Sequence, residues 1–302
     1  MNLNTLDGIE ETVRNSIGSE NTVKELGDED EQALSNINKT SLMIAYERYL
    51  ESKNETPLFI DPYAETLAGK AGKQFSEEMA ANSNLMGFGE WKDFHRTWTV
   101  IRTCFIDSWI TKTCNNLDNE QVFQFVNLGA GVDTRTFRLD CLKEQKCISW
   151  EVDLPKVNEL KESIFKKLEL KSYCERYSVD SDLSKDTLED DLIKYNFDPT
   201  KPSFWLLEGL LMYLPLPLQS ELLKKISSLS ASSSVAVINF AQCDYEGYAD
   251  KYMDDVLLKS NLNEDLWDIT IHRYGDDTLN YGRFPEGQNT AKLFSFAVCR
   301  RK

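Results

Sequence analysis

The sequence has fewer basic residues than acidic ones, and this argues against binding to a polyanion. Its 302 residues contain 34 Lys and Arg against 50 Asp and Glu, which gives a formal net charge of −16. Proteins that bind nucleic acids cluster Lys and Arg on one surface, because these side chains displace the counterions of the phosphates. No such basic stripe occurs along this chain, so we predict no nucleic-acid partner.

The sequence also lacks a run of apolar residues that is long enough to cross a bilayer. Residues 204–218 form the longest apolar stretch, but Glu208 and two prolines interrupt it, whereas a membrane-spanning helix needs about 20 consecutive apolar residues. The N-terminus does not have the basic start and apolar run of a secretory signal peptide. We therefore predict a cytoplasmic protein with no membrane partner.

Histidine is scarce, and the cysteines are not paired along the chain. There are two His and seven Cys, and no Cys-x-x-Cys pair occurs. Since zinc sites are built from closely spaced Cys and His, we predict no metal site and reduced thiols. His95 and His272 lie outside the motifs described below, so we interpret both as structural rather than catalytic.

The remaining sequence divides into three regions. Residues 1–35 are rich in Asp, Glu, Asn and Ser, which predicts a flexible acidic tail. Residues 36–118 carry apolar side chains at helical spacing, with a long helix from near Asp93 to Cys114. Within residues 119–302, predicted strands alternate with predicted helices. This alternation is typical of a parallel, doubly wound α/β sheet. We predict one domain over residues 36–302, with strands at 122–127, 147–152, 172–179, 204–207 and 234–240.

Two glycines follow the first predicted strand. Gly129 and Gly131 would let the backbone turn tightly and approach a ligand. The dinucleotide-binding fingerprint needs a third glycine at position 134, where the sequence has Thr134. A pyrophosphate cradle is therefore disfavoured, and a glycine turn without any ligand stays open as an alternative.

Acidic residues follow the next three predicted strands. Asp153 lies near the spacing at which an acid meets ribose hydroxyls in cofactor-binding sheets. Asp182 and the neighbouring Leu183 follow the third strand, where an acid and a backbone amide would contact an adenine ring. Glu208 lies between apolar residues, where a charge needs a partner such as the ammonium group of a cofactor. For each acid, a solvated position or a structural ion pair is the alternative.

Five motifs together carry a resemblance to a known family. They are Asp-Pro-Tyr-Ala at 61–64, Arg-Thr at 102–103 followed by Phe-Ile-Asp at 105–107, and the segments 128–138, 151–155 and 208–214. In this order they span about residues 40–240. The sequence resembles the leucine carboxyl methyltransferase family, including its bacterial branch of S-adenosyl-L-methionine-dependent methyltransferases.

The resemblance implies a class I methyltransferase (Rossmann-like) fold, with extra N-terminal helices over residues 36–118 as a lid, and S-adenosyl-L-methionine as the cofactor. By this resemblance, the glycine loop contacts the methionine portion of the cofactor. Asp153 contacts the ribose, Asp182 and Leu183 contact the adenine, and Glu208 contacts the ammonium group. Arg102 contacts the cofactor carboxylate. The implied cofactor-binding residues are Arg102, Gly129, Gly131, Asp153, Asp182, Leu183 and Glu208.

Three residues are weak candidates for contact with the methyl acceptor. Arg48 and Arg135 would each bind an anionic substrate or form structural ion pairs, and for both we favour the ion pairs. Tyr213 would orient the acceptor, although an aromatic packing role is the favoured interpretation. No residue is identified as catalytic in the chemical step.

The reaction implied is methyl transfer to an oxygen of a carboxylate or hydroxyl acceptor by in-line displacement. We expect a small-molecule acceptor rather than a protein carboxyl terminus, because features specific to a protein acceptor are missing. Two alternatives stay open at this point: a nicotinamide-dependent oxidoreductase, which shares the sheet and glycine loop, and a non-catalytic homologue that binds the cofactor. The oligomeric state is not indicated.

Overall fold

A computed structural model describes residues 39–82, 93–117, 121–241, 253–276, 279–284 and 294–302. The predicted acidic tail, residues 1–35, lies outside the described residues. By its internal contacts the chain divides into two compact units. Of the described residues, the helical unit contains 39–82, 93–105, 160–170 and 281–283, and the sheet unit contains 106–117, 121–159, 171–241, 253–276, 279–280, 284 and 294–302.

The N-terminal part of the helical unit is built from two packed helices and the first half of a third. Helix α1 is Lys39–Ser52, α2 is Ala64–Ala81, and α3 is Phe94–Asn115, with its residues up to 105 in this unit. The predicted periodicity is confirmed, because Leu42 and Ala45 of α1 are fully buried. That these helices form a lid over the cofactor stays a prediction.

Gly72 of α2 allows the backbones of α1 and α2 to approach closely. A Cβ atom at this position would lie 2.7 Å from the carbonyl carbon of Leu42, which is closer than real Cβ atoms come. We predict that Gly72→Ala destabilises the protein, because overpacking costs about 1–3 kcal/mol and exceeds the gain in helix propensity of about 1 kcal/mol. Urea denaturation measures the change.

Glu77→Ala, a substitution on the exposed face of the same helix, is the control. The Glu77 side chain is 64% exposed, so its loss should change the free energy of unfolding by no more than about 0.5 kcal/mol. Equal stability of Gly72→Ala and the wild-type protein would contradict the close packing of the two helices.

The sheet unit contains a seven-stranded sheet in the order β3-β2-β1-β4-β5-β7-β6. Strands β1 to β5 are parallel to their neighbours among themselves, whereas β7 is antiparallel to both β5 and β6. The strands are β1 Phe123–Leu128, β2 Cys147–Asp153, β3 Glu175–Asp180, β4 Ser203–Leu207, β5 Val235–Ala241, β6 Trp267–Arg273 and β7 Phe294–Arg301.

Helices connect the parallel strands as a doubly wound sheet requires. Pro155 opens the helix after β2, where its fixed backbone angle and missing N–H suit the first helical position. The helices are α4 Arg135–Arg138, α5 Cys141–Glu144, α6 Pro155–Lys167, α7 Leu188–Lys194, a 3-10 turn Leu211–Tyr213, α8 Leu216–Ser228 and α9 Asp255–Leu262.

Central strands β1 and β4 are buried along their whole length. This is expected of parallel strands with both faces covered, and it explains why most of their residues are apolar. Trp150, Trp205 and Ile226 are fully buried in the core of this unit. The five predicted strands are confirmed to within a few residues at each end, whereas β6 and β7 were not predicted.

Candidate functional site

The loop after β1 lies at the point where the strand order of the sheet reverses. β1 is flanked by β2 and β4: the chain runs from β1 through β2 to β3 on one side, and then returns to β4 on the other side of β1. Ligands of open α/β sheets bind at the carboxyl ends of the strands beside such a reversal. Gly129 and Gly131 have φ angles of 68° and 47°, which only glycine adopts readily. The predicted glycine loop is thus at the predicted place.

Asp153, at the end of β2, holds this loop in place. Its Oδ2 accepts a hydrogen bond from the Gly131 N–H at 2.7 Å, and its Oδ1 accepts one from the Leu154 N–H at 2.8 Å. The Gly129 N–H donates to the Val152 carbonyl at 2.8 Å. An ionised carboxylate has about four acceptor positions, so these two bonds leave capacity for further hydroxyl donors.

Glu151, the other acid of the same motif, has a structural role. It is 1% exposed, and its Oε1 accepts a hydrogen bond from the Thr136 hydroxyl at 2.9 Å. The same oxygen lies 2.9 Å from Nε of Arg176. Of the two acids in this motif, Asp153 is therefore the one placed to meet a ligand.

A buried ion-pair network centred on Arg135 connects the loop after β1 with the end of β4. The Arg135 Nη1 donates to Oε2 of Glu208 at 2.6 Å and also to Oδ2 of Asp133, while its Nε donates to Oδ1 of Asp107 at 2.6 Å. The Arg135 side chain is 4% exposed. The favoured interpretation of this arginine, structural ion pairing, agrees with these contacts.

Burial disfavours the charged form of Arg135, but the neighbouring carboxylates of Asp133, Glu208 and Asp107 outweigh it and raise its pKa well above the usual range. Arg135 is therefore charged at neutral pH. It is also a cationic partner for Glu208, which was predicted to need one. A contact between Glu208 and a cofactor ammonium stays a prediction.

Sequence reasoning assigned no role to three members of this network. Asp107 accepts hydrogen bonds from Nη1 of Arg138 at 2.7 Å and from Nη2 at 3.1 Å. Asp133 accepts one from Nδ2 of Asn127 at 2.9 Å. The available signal was the run Asp133-Thr134-Arg135, which begins two residues after Gly131 and places two opposite charges beside the glycine loop.

The acids after β3 lie at the same edge of the sheet. The Asp182 Oδ1 accepts hydrogen bonds from the Ser184 hydroxyl at 2.6 Å and from its N–H at 3.1 Å. These bonds, with a contribution from Lys185, lower the pKa of Asp182. Leu183 packs partly against the core of the sheet unit. The predicted adenine contacts of Asp182 and Leu183 stay predictions.

Other predicted residues lie away from this loop in the chain. Arg48 of α1 donates from Nε to Oδ2 of Asp61 at 2.9 Å, both within the helical unit, as the ion-pair interpretation expects. Arg102 of α3 is 4% exposed and its guanidinium lies over the Trp98 ring at 5.8 Å. Tyr213 is 42% exposed in the turn after Glu208. The predicted contacts of Arg102 and Tyr213 with cofactor and acceptor stay predictions.

Both histidines have structural partners. His95 Nδ1 lies 2.9 Å from Oε2 of the buried Glu47, which also accepts the Thr99 hydroxyl at 2.5 Å. His272 lies on β6, where burial lowers its pKa from 6.5; Asp276 opposes this shift and Arg300 adds to it.

His272 gives a prediction for the pH dependence of stability. Because its pKa is lower in the folded than in the unfolded protein, the unfolded chain binds the proton first as the pH falls below about 6.5. Stability should therefore fall as the pH decreases through this range, and His272→Gln should remove that part of the loss. Urea denaturation between pH 5 and 8 measures it, and parallel pH profiles for the two proteins would contradict the assignment.

Among the described residues, no group of three or more His, Cys, Asp or Glu side chains could hold a metal ion. The six described cysteines are free thiols, and Cys243 lies outside the described residues. Within the same residues, no helix is long and apolar enough to span a membrane.

Comparison with known proteins gives the family. The sequence profile described as leucine carboxyl methyltransferase matches residues 41–227. A protein of Saccharopolyspora erythraea named "putative S-adenosyl-L-methionine-dependent methyltransferase" is 34% identical over 201 residues. The alignment covers 67% of this chain and 66% of that relative, so the chain spans slightly less than two thirds of the relative's length. The family predicted from the motifs is confirmed.

Two solved structures share the fold. A DUF574 family protein of Streptomyces avermitilis MA-4680 gives a TM-score of 0.55 at 10% identity, covering 87% of this chain and 97% of that one. A "putative methyltransferase" of Thermobifida fusca YX gives a TM-score of 0.51 at 11% identity, covering 87% and 94%. These similarities confirm the predicted class I methyltransferase fold.

Proposed function

The chain belongs to the leucine carboxyl methyltransferase family, and from that premise we propose that it transfers a methyl group from S-adenosyl-L-methionine to an oxygen of a carboxylate or hydroxyl acceptor. We propose a small molecule rather than a protein carboxyl terminus as that acceptor. The observation that carries the proposal is the hydrogen bond between the Asp153 carboxylate and the Gly131 amide, since it joins the glycine loop and the strand-end acid in one site.

The residues at this edge of the sheet fit the chemical groups of the cofactor. A ribose offers two hydroxyl donors, which suit the partly exposed carboxylate of Asp153. An ammonium group suits the carboxylate of Glu208, whose side chain is 14% exposed. A glycine loop with positive φ angles exposes backbone to a ligand without interference from a Cβ atom.

The chain's own residues would hold and orient the cofactor. Asp153 would accept the ribose hydroxyls and keep the glycine loop closed against β2. Glu208 would accept the ammonium group, and Leu183 would contribute apolar surface beside the adenine. When bound, S-adenosyl-L-methionine supplies a methyl group on a positively charged sulfur, which an acceptor oxygen takes by in-line displacement.

A carboxylate acceptor would require no general base. Its oxygen is already ionised near neutral pH, so the protein's contribution would be to bring the acceptor and the methyl group into line and to exclude water. Positioning of this kind supplies roughly 7–11 kcal/mol of a reaction barrier. The structural partners of both histidines agree with a reaction that uses no histidine base.

Methyl transfer can be tested with methyl-labelled S-adenosyl-L-methionine and three acceptor panels: small carboxylates, small hydroxyl compounds and peptides with a free carboxyl terminus. Treatment of the products with base separates the classes, because methyl esters hydrolyse and release labelled methanol whereas methyl ethers do not. We expect labelled product from a small-molecule panel.

Asp153→Ala serves as the control for cofactor-dependent label transfer and should show little product. Label in peptides alone would contradict the small-molecule acceptor, and label on nitrogen or sulfur would contradict transfer to oxygen. Cofactor binding without transfer to any panel would contradict the proposed activity.

A further inference from the structure

We propose that Arg135 is a positioning residue for the cofactor: it fixes the Glu208 carboxylate in the place where that carboxylate accepts the cofactor's ammonium group. This inference rests on the proposed function. The contacts of Arg135 alone would assign it to structural ion pairing; the inference adds a role in cofactor binding.

The Arg135 side chain binds three carboxylates. Its Nη1 is shared between Glu208, at 2.6 Å, and Asp133. Its Nε binds Asp107 at 2.6 Å. One planar group therefore connects three parts of the sheet unit: α3, the loop after β1 and the residue directly after β4.

The connection through Arg135 is rigid. The guanidinium is nearly inaccessible to solvent, and its donors lie in a fixed plane. Arg135 is itself anchored at the main chain, because its N–H donates to Oδ1 of Asp133 at 2.7 Å. Ion pairs in such a place are screened little by solvent or salt.

Glu208 is held at a second point. Its backbone is fixed from the other side, because the N–H of Gly209 donates to Oδ1 of Asn239 on β5 at 3.1 Å. With both main chain and carboxylate fixed, Glu208 loses little conformational freedom when a ligand binds. Such preorganisation raises affinity by lowering the entropic cost of binding.

Arg138 provides a matched control within the same network. Its guanidinium binds Asp107 in bidentate fashion and donates from Nε to the Thr134 hydroxyl at 3.2 Å. Like Arg135, it is nearly buried, with a side chain that is 5% exposed. A substitution at Arg138 perturbs the network, whereas one at Arg135 also removes a direct partner of Glu208.

The test compares two ligands that differ in the group that Glu208 would bind. S-adenosylhomocysteine carries the amino-acid end with its ammonium, whereas 5′-methylthioadenosine retains the nucleoside and thioether but lacks that end. Dissociation constants for both ligands are measured by calorimetry on wild-type protein, Arg135→Lys, Arg135→Met and Arg138→Met. The ratio of the two constants is the readout, because partial unfolding weakens both ligands by the same factor and leaves the ratio unchanged.

We expect Arg135→Met to weaken S-adenosylhomocysteine on the order of 10-fold or more relative to 5′-methylthioadenosine, the scale of a lost charge-assisted contact. Arg135→Lys should show a smaller change in the same direction, because lysine keeps the charge without the planar group. Arg138→Met should leave the ratio within about 3-fold of wild type, a difference worth less than 1 kcal/mol.

Equal losses for both ligands at Arg135, or an unchanged ratio in Arg135→Lys when Arg135→Met does not fold, would overturn the positioning role. Loss of folded protein in both Arg135 variants would likewise assign the residue to stability alone. If wild-type protein binds neither ligand, it is the proposed function that fails, and the two failures are therefore distinguishable.

Discussion

Replacing Arg135 with methionine is expected to lower the free energy of unfolding by about 3–5 kcal/mol, the usual effect of breaking a buried ion pair by removing one partner. The side chain is 4% exposed and contacts the carboxylates of Asp107, Asp133 and Glu208. Removing the guanidinium leaves these carboxylates close to one another without the cation between them. Urea denaturation at neutral pH measures the loss.

A double substitution distinguishes this charge effect from a loss of packing. Arg135→Met combined with Glu208→Gln removes the cation together with one of the carboxylates, so it should be more stable than the sum of the two single changes predicts. The expected coupling lies between about 0.5 and 3 kcal/mol. Simple additivity of the two changes would contradict the ion-pair account, and a loss in Arg138→Met as large as in Arg135→Met would contradict the central place of Arg135.

Asp153→Ala is expected to have the largest effect on cofactor binding. The substitution removes the proposed acceptor of the ribose hydroxyls, and charge-assisted hydrogen bonds of this kind contribute roughly 1.5–3 kcal/mol, or about 10- to 150-fold in affinity. It also leaves the Gly131 and Leu154 amides without their carboxylate partner, which loosens the loop. Calorimetric titration with S-adenosylhomocysteine measures the change.

Two controls locate this effect. Asp153→Asn keeps one acceptor oxygen and should fall between wild type and Asp153→Ala. Asp182→Ala removes a partly exposed acid whose oxygen already accepts two hydrogen bonds from Ser184, and it should weaken binding less than Asp153→Ala does. Wild-type affinity in Asp153→Ala would remove this residue from the site.

The sequence predicted the sheet well where burial alone decides the pattern. Most residues of β1 and β4 are apolar because parallel strands are covered on both faces, and each strand is followed by a motif of the site. β6 was missed for the opposite reason, whereas β7 was missed although most of its residues are buried. β6 contains Asp268, His272 and Arg273, so its apolar pattern is weak. It lies at the edge of the sheet, where it is hydrogen-bonded to β7.

The ion-pair network shows what spacing along the chain cannot give. Arg135 meets Asp107 and Glu208, which are 28 and 73 residues away in sequence. Motifs around all three residues were recognised, yet only the fold brings their side chains together. Glu208 was predicted to need a cation, and the structure supplies Arg135 as one, a pairing that no local pattern encodes.

Calorimetric titration of the wild-type protein with S-adenosylhomocysteine, and separately with nicotinamide adenine dinucleotide, tests the central claim most directly. The two ligands separate a methyl-donor site from a dinucleotide site on the same kind of sheet. The account predicts saturable binding of S-adenosylhomocysteine at one site per chain and no binding of the dinucleotide. Saturable binding of the dinucleotide, with no response to S-adenosylhomocysteine, would contradict it.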